Sequence, residues 1–110
     1  MRLVLKCCVA ACMLGLWGQA FATLRVAIYN DDPVGAPETT YTVEWRYDTL
    51  NVGNGQEKAV NDARPYEGIL EYGASRENLV SLHIDGAKVE TSVDIHCSAQ
   101  RGCSAAIRRR

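Results

Sequence analysis

Residues 23–110 are predicted to form an all-β fold: a small antiparallel β-sandwich, or a small barrel, of six or seven short strands. Three observations carry that expectation. Apolar residues alternate with polar ones at period two in several segments, the pattern of a half-buried strand. Gly, Pro, Asn and Asp punctuate the chain between those segments. The same region holds no convincing apolar stripe of helical spacing.

The first 22 residues stand apart. Arg2 and Lys6 form a short basic region, Cys7 to Trp17 is apolar apart from one glycine, and Ala20-Phe21-Ala22 is a small-x-small cleavage signal. This is the three-part pattern of a secretory signal peptide, with cleavage expected after Ala22. The apolar run is about half of the ~20 residues that span a bilayer, so no transmembrane segment is expected in the mature chain. Val9-Ala10-Ala11-Cys12 also resembles a bacterial lipobox, in which Cys12 would become a lipidated first residue. The apolar run continues past Cys12 into Met13-Leu14-Gly15-Leu16-Trp17, where a polar tether would be needed, and this favours cleavage at Ala22.

Cleavage changes the composition. Of five cysteines in 110 residues, only Cys97 and Cys103 remain in a mature chain of 88 residues. That chain has 10 bases against 13 acids, a net charge of −3. Four of the bases, Arg101, Arg108, Arg109 and Arg110, lie in the last ten residues. The body is therefore acidic and the C-terminal end basic, a solvated frayed end by default and an electrostatic contact at its sharpest. An acidic body offers no basic stripe to neutralise phosphates, so nucleic acid is not expected as a partner.

The elements follow in order. Thr23 to Asn30 places Leu24, Val26 and Ile28 on one face, with Arg25 and Tyr29 on the other. Asp31 to Pro37, with two prolines and a glycine, is a loop. Tyr41 to Asp48 alternates cleanly, with Tyr41, Val43, Trp45 and Tyr47 sharing a face. This segment resembles a core strand of immunoglobulin-like or fibronectin type III-like sandwiches, and the resemblance implies a two-sheet architecture. Asn54-Gly55 is a two-residue hairpin signal, expected to fold Gln56 to Asp62 back on the strand ending near Val52 as an edge strand or loop. Arg64-Pro65 interrupts that return. Gly68 to Tyr72 is a short strand, and Gly73 to Asn78 a turn.

Two further hairpins are expected. Val80, Leu82 and Ile84 form one face, and Val89, Thr91, Val93, Ile95 and Cys97 form the next. A turn at Asp85-Gly86 or Gly86-Ala87 gives an odd register sum, which brings both apolar faces together. In the last hairpin, pairing Cys97 with Cys103 sets Ile95 opposite Ala105 and Val93 opposite Ile107. Two cysteines facing each other in an exported chain should oxidise, so a Cys97–Cys103 disulfide is predicted.

Candidate chemistry is sparse. His83 and His96 flank acids, but the expected hairpin would hold them ~20 Å apart, too far for one metal. No metal or other cofactor is therefore expected. The sequence holds no G-x-S-x-G nucleophile elbow, no Cys-x-x-Cys pair and no phosphate-binding glycine loop, so no catalytic residue is assigned. The expected role is a secreted or periplasmic binding or accessory protein acting through surface contacts, such as an inhibitor, an immunity-type protein or an envelope-assembly component. Its partner would be another protein or an envelope component. Candidate contact residues are Arg101 in the disulfide-tied loop, Trp45 beside Tyr41 and Tyr47, and Arg108, Arg109 and Arg110. A small hydrolase-type enzyme and a lipid-anchored envelope protein are the alternatives.

Overall fold

The computed structural model describes residues 23–63, 67–85 and 89–110, and the signal-peptide expectation falls outside them. Eight strands follow in order: β1 (Leu24–Asn30), β2 (Tyr41–Trp45), β3 (Asp48–Val52), β4 (Glu57–Asp62), β5 (Glu67–Gly73), β6 (Leu79–Asp85), β7 (Thr91–Ser98) and β8 (Gly102–Arg109). A single 3-10 turn, Arg76–Asn78, precedes β6. The strands form two four-stranded sheets, ordered β4-β1-β7-β8 and β3-β2-β5-β6, packed as an open sandwich. Among the described residues no helix is long and apolar enough to cross a membrane.

The alternation seen in the sequence selects the inner faces. One row across the first sheet runs Val60–Val26–Val93–Ile107, and one across the second runs Leu50–Val43–Tyr72–Val80. Leu24, Val26, Ile28, Val43, Val52, Leu70, Ile84, Val93 and Ile95 are all at most 1% exposed and form the core between the sheets. At ~25 cal/mol per Å2 of apolar surface removed from water, this layer is the main driving force for the fold.

Four expectations need correction. Among the described residues there are eight strands, not six or seven, because Tyr41 to Asp48 is not one strand. Arg46 adopts a left-handed conformation, φ 55°, and turns β2 back into β3. Its guanidinium lies 2.7 Å from Asp62 Oδ2, a tertiary contact that holds the turn. Tyr47 at the turn is fully exposed instead of facing inward.

The second correction concerns Asn54-Gly55. The turn forms, with Gly55 at φ 72°, but it carries the chain from one sheet to the other. β4 pairs with β1, not with β3. A type I′ hairpin needs positive φ at both central residues, and Asn54 does not supply it. β4 is nonetheless a sheet edge, as its polar composition suggests.

Third, β6 and β7 do not pair. β6 joins β5, while β7 lies between β1 and β8. Their apolar residues enter the same core from different sheets rather than lying side by side in one sheet; period-two alternation fixes the buried face and leaves the neighbour open. Residues 86–88, where that turn was expected, lie outside the described ones. Fourth, the first sheet is mixed, because β1 runs parallel to β7.

The β7–β8 hairpin forms with the predicted register: Cys97 opposes Cys103, Ile95 opposes Ala105, and Val93 opposes Ile107. The Cys97–Cys103 disulfide is present.

Candidate functional site at the loop end of the sandwich

Three connections gather at one end of the sandwich: residues 31–40 after β1, 53–56 after β3, and 99–101 after β7. A polar cluster centred on Asp32 binds them. Asp32 is 9% exposed. Its carboxylate accepts from the Ala99 amide at 3.0 and 3.1 Å, from Thr39 Oγ1 at 2.8 Å and from the Tyr41 hydroxyl at 2.9 Å. The Ala99 amide foremost, then the Thr39 hydroxyl, holds the Asp32 carboxyl below the usual aspartate range; burial opposes this and Tyr41 adds to it. The Tyr41 phenol is pushed up, first by burial and then by the neighbouring carboxylate, which keeps it a donor.

Asn30 and Asn54 extend the cluster. Asn30 Oδ1 accepts from the Asp32 amide at 3.0 Å, and its Nδ2 donates to the carbonyls of Thr39 and Val52, both at 3.3 Å. Asn54 Oδ1 accepts from the Thr39 amide at 2.9 Å. Its Nδ2 donates to the carbonyls of Pro33, Ala36 and Pro37 at 3.1–3.3 Å. Thr39 Oγ1 also lies 2.6 Å from Asn54 Oδ1, so its one proton serves either that oxygen or Asp32.

The loop carbonyls, which a polar turn would otherwise leave to water, are thus bonded by one asparagine. The residues these anchors leave outward are apolar Val34, 82% exposed, and the exposed Gln100 and Arg101. Arg101 is seated by its own amide, which donates to Ser98 Oγ at 3.0 Å.

The predicted contact residues divide. Arg101 lies at this end. Trp45 is 3% exposed and belongs to the core, where the alternation placed its side chain. Arg108, Arg109 and Arg110 lie at the opposite end. They are not a frayed tail: β8 runs to Arg109, and the Arg110 amide donates to the Glu90 carbonyl at 2.9 Å. Arg108 is bonded to Asp94 at 2.6 Å.

His83 and His96 sit in different sheets. His96 Nδ1 lies 2.9 Å from Asp31 Oδ2, and its ring stacks on Tyr29 with centroids 4.4 Å apart. Ser104 is the cross-strand neighbour of His96. A carboxylate-oriented imidazole next to a hydroxyl has the elements of nucleophilic chemistry. The row lies on the outer face of the sheet, with His96 and Asp31 side chains 52% and 51% exposed, so solvent surrounds it.

Sequence reading missed the Asp32 cluster. Its members come from three separate loops and from the adjoining ends of β1 and β2, and the only signals were the turn residues Asp32-Pro33 and Asn54-Gly55, read for backbone shape alone. No protein-family model matches the chain, and no curated protein or solved structure matches it either.

Proposed function

We propose that this chain is an exported binding or accessory module that recognises a protein or envelope component through its loop end, by contact rather than catalysis. The observation that carries the reading is the Asp32 carboxylate, which bonds the loop after β1 to the disulfide-tied turn after β7. Loops already held in one arrangement lose little entropy on binding, so their exposed residues are ready contacts. Arg101 supplies a positive contact for an acidic surface, and Val34 supplies an apolar one. The turn around Arg101 is too tight to lie extended in a protease cleft, since Ser98 already pairs with Gly102. This favours an acidic patch on the partner over insertion of Arg101 into an enzyme pocket.

The disulfide and the signal-like first 22 residues support a secreted or periplasmic location, because such bonds persist in oxidising compartments. The two-sheet architecture supports an immunoglobulin- or fibronectin-like reading only at the level of a sandwich. A crosslinked pull-down of the tagged exported protein tests the function, run beside Val34→Asp and Arg101→Glu. A partner held by the parent and lost from both variants, with unchanged circular dichroism, is the expected result. Identical partners for parent and variants would overturn it.

A further inference from the structure

A second feature lies at the far end of the molecule, on the outer face of the mixed sheet. Ser92 stands in a cross-strand row between Arg25 and Arg108. Glu90, Ser92, Arg108 and Arg110 line a concavity of about 120 Å3. A cavity needs only ~10–15 Å3 by this measure to hold one water, so there is room for a small tetrahedral anion. Arg108 donates one N–H to Asp94 Oδ2 at 2.6 Å, and Arg25 reaches Asp94 Oδ1 at 3.4 Å. One carboxylate thus answers two guanidiniums. Arg110 is only loosely paired, 3.9 Å from Glu90, while its backbone is tied to the Glu90 carbonyl. Both arginine side chains are largely exposed, 76% and 84%. The Ser92 hydroxyl has no hydrogen-bond partner among the described residues.

The inventory of donors and acceptors defines the ligand. Guanidiniums carry five N–H donors each and suit phosphate oxygens in pairs, so Arg108 keeps donors to spare after bonding Asp94. Ser92 adds a neutral donor. Glu90 is the discordant member, because its carboxylate repels a bare oxyanion. It fits only a ligand that brings a donor of its own beside the negative charge. A phosphate that still carries one proton does this; sulfate, with no proton to give near neutral pH, does not.

We propose that this concavity binds a phosphate group that keeps at least one proton, free or as a monoester, with Arg108, Arg110 and Ser92 donating to its oxygens and Glu90 accepting its hydroxyl. The site lies at the end opposite the loops and does not depend on the proposed function.

The test is a titration of the full exported chain with inorganic phosphate and, separately, with sulfate. It is run near pH 6, where a phosphate ester is about half protonated and inorganic phosphate, the weaker acid at its second step, keeps a hydroxyl on nearly every ion, and is followed by backbone amide shifts. Phosphate should shift the Ser92 and Arg110 amides saturably, and sulfate should bind at least about fivefold more weakly, the ratio expected from one unmet charge-assisted hydrogen bond. Glu90→Gln can donate where Glu90 accepts, so it should bring sulfate level with phosphate or ahead of it. Ser92→Ala should weaken phosphate severalfold, with no fold risk at a half-buried surface position. Glucose 1-phosphate binding more tightly than inorganic phosphate would identify a monoester as the source; equal binding would identify the free ion. Equal responses to the two anions that Glu90→Gln leaves unchanged, or shifts that never saturate, would show only screening by arginines and overturn the proposal.

Discussion

Reducing the Cys97–Cys103 bond separates two accounts of what it does. The bond closes a seven-residue loop, from a sequence separation of 6. In the chain-entropy treatment, such a loop removes ~2 kcal/mol of unfolded-state entropy at 25 °C. Little else should change on reduction. The hairpin ladder runs through eight residue pairs, from Thr91 with Arg109 to Ser98 with Gly102. The turn is also tied from outside, by the Ala99 amide to Asp32 and by the Asp31 amide to the Cys97 carbonyl at 2.8 Å. Urea unfolding with and without a phosphine reductant measures the difference, with intact mass confirming two added hydrogens. At an m-value of ~1 kcal/mol/M, the midpoint should fall by about 2 M with little change in slope. The far-ultraviolet spectrum in the absence of urea should not move. A spectrum that collapses on reduction, or a loss above ~4 kcal/mol, would mean that the bond scaffolds the domain. An unmoved midpoint would refute the loop-entropy argument.

Other expectations follow from the packing. Leu70→Ala, between Trp45 and Leu82 at 0% exposure, should cost about 2–5 kcal/mol by urea unfolding, while Ile69→Ala, at 56% exposure, should cost less than ~1 kcal/mol. Gly55→Ala should destabilise by ~1 kcal/mol or more, because φ is 72°; its Cβ would also come 2.7 Å from Val34 Cγ2, an exposed side chain that can shift. Stability against pH should be level in the middle and fall at both ends. Asp32, held low by its partners, stabilises the fold above the usual aspartate pKa of ~3.9 and loses that contribution as pH falls through its folded value. Tyr41, pushed up, stabilises the fold below the usual tyrosine pKa of ~10 and loses that contribution as pH rises beyond it. Tyr41→Phe should flatten the alkaline limb and lower mid-range stability by about 1–2 kcal/mol, read as Tm against pH.

Local pairing was legible because local pairing is what side-chain period encodes. The β7–β8 hairpin could be registered residue by residue: its turn is short, its faces are distinct, and its two cysteines must meet. β1 and β5 could be placed to within a residue or two for the same reason. Arg46 was not legible. Nothing in Trp45-Arg46-Tyr47-Asp48 carries turn chemistry, and the alternation runs straight through it. The turn is imposed by what surrounds it, including the ion pair between Arg46 and Asp62, two residues sixteen positions apart.

The larger errors share one cause, and it also hid the loop cluster. A strand's alternation states which face is buried; it does not state whether the facing apolar row belongs to a neighbour in the same sheet or to the opposite sheet. Both solutions satisfy Ile84 and Ile95 equally. The choice is made by pairings of long range, above all β1 alongside β7, where Leu24 meets Thr91. That parallel pair brings the end of β1 beside the end of β7 and so delivers Asp32 to the Ala99 amide. Neither half of that contact makes sense alone: Asp32 is a loop acid before a proline, and Ala99 is a small residue in a turn. Their meeting is a consequence of topology, so a site built from loops inherits every uncertainty in strand order. Conversely, once β1 and β7 are adjacent, Asp32 must find donors or stay out of the interior, and the Thr39, Tyr41 and Ala99 bonds are that requirement met.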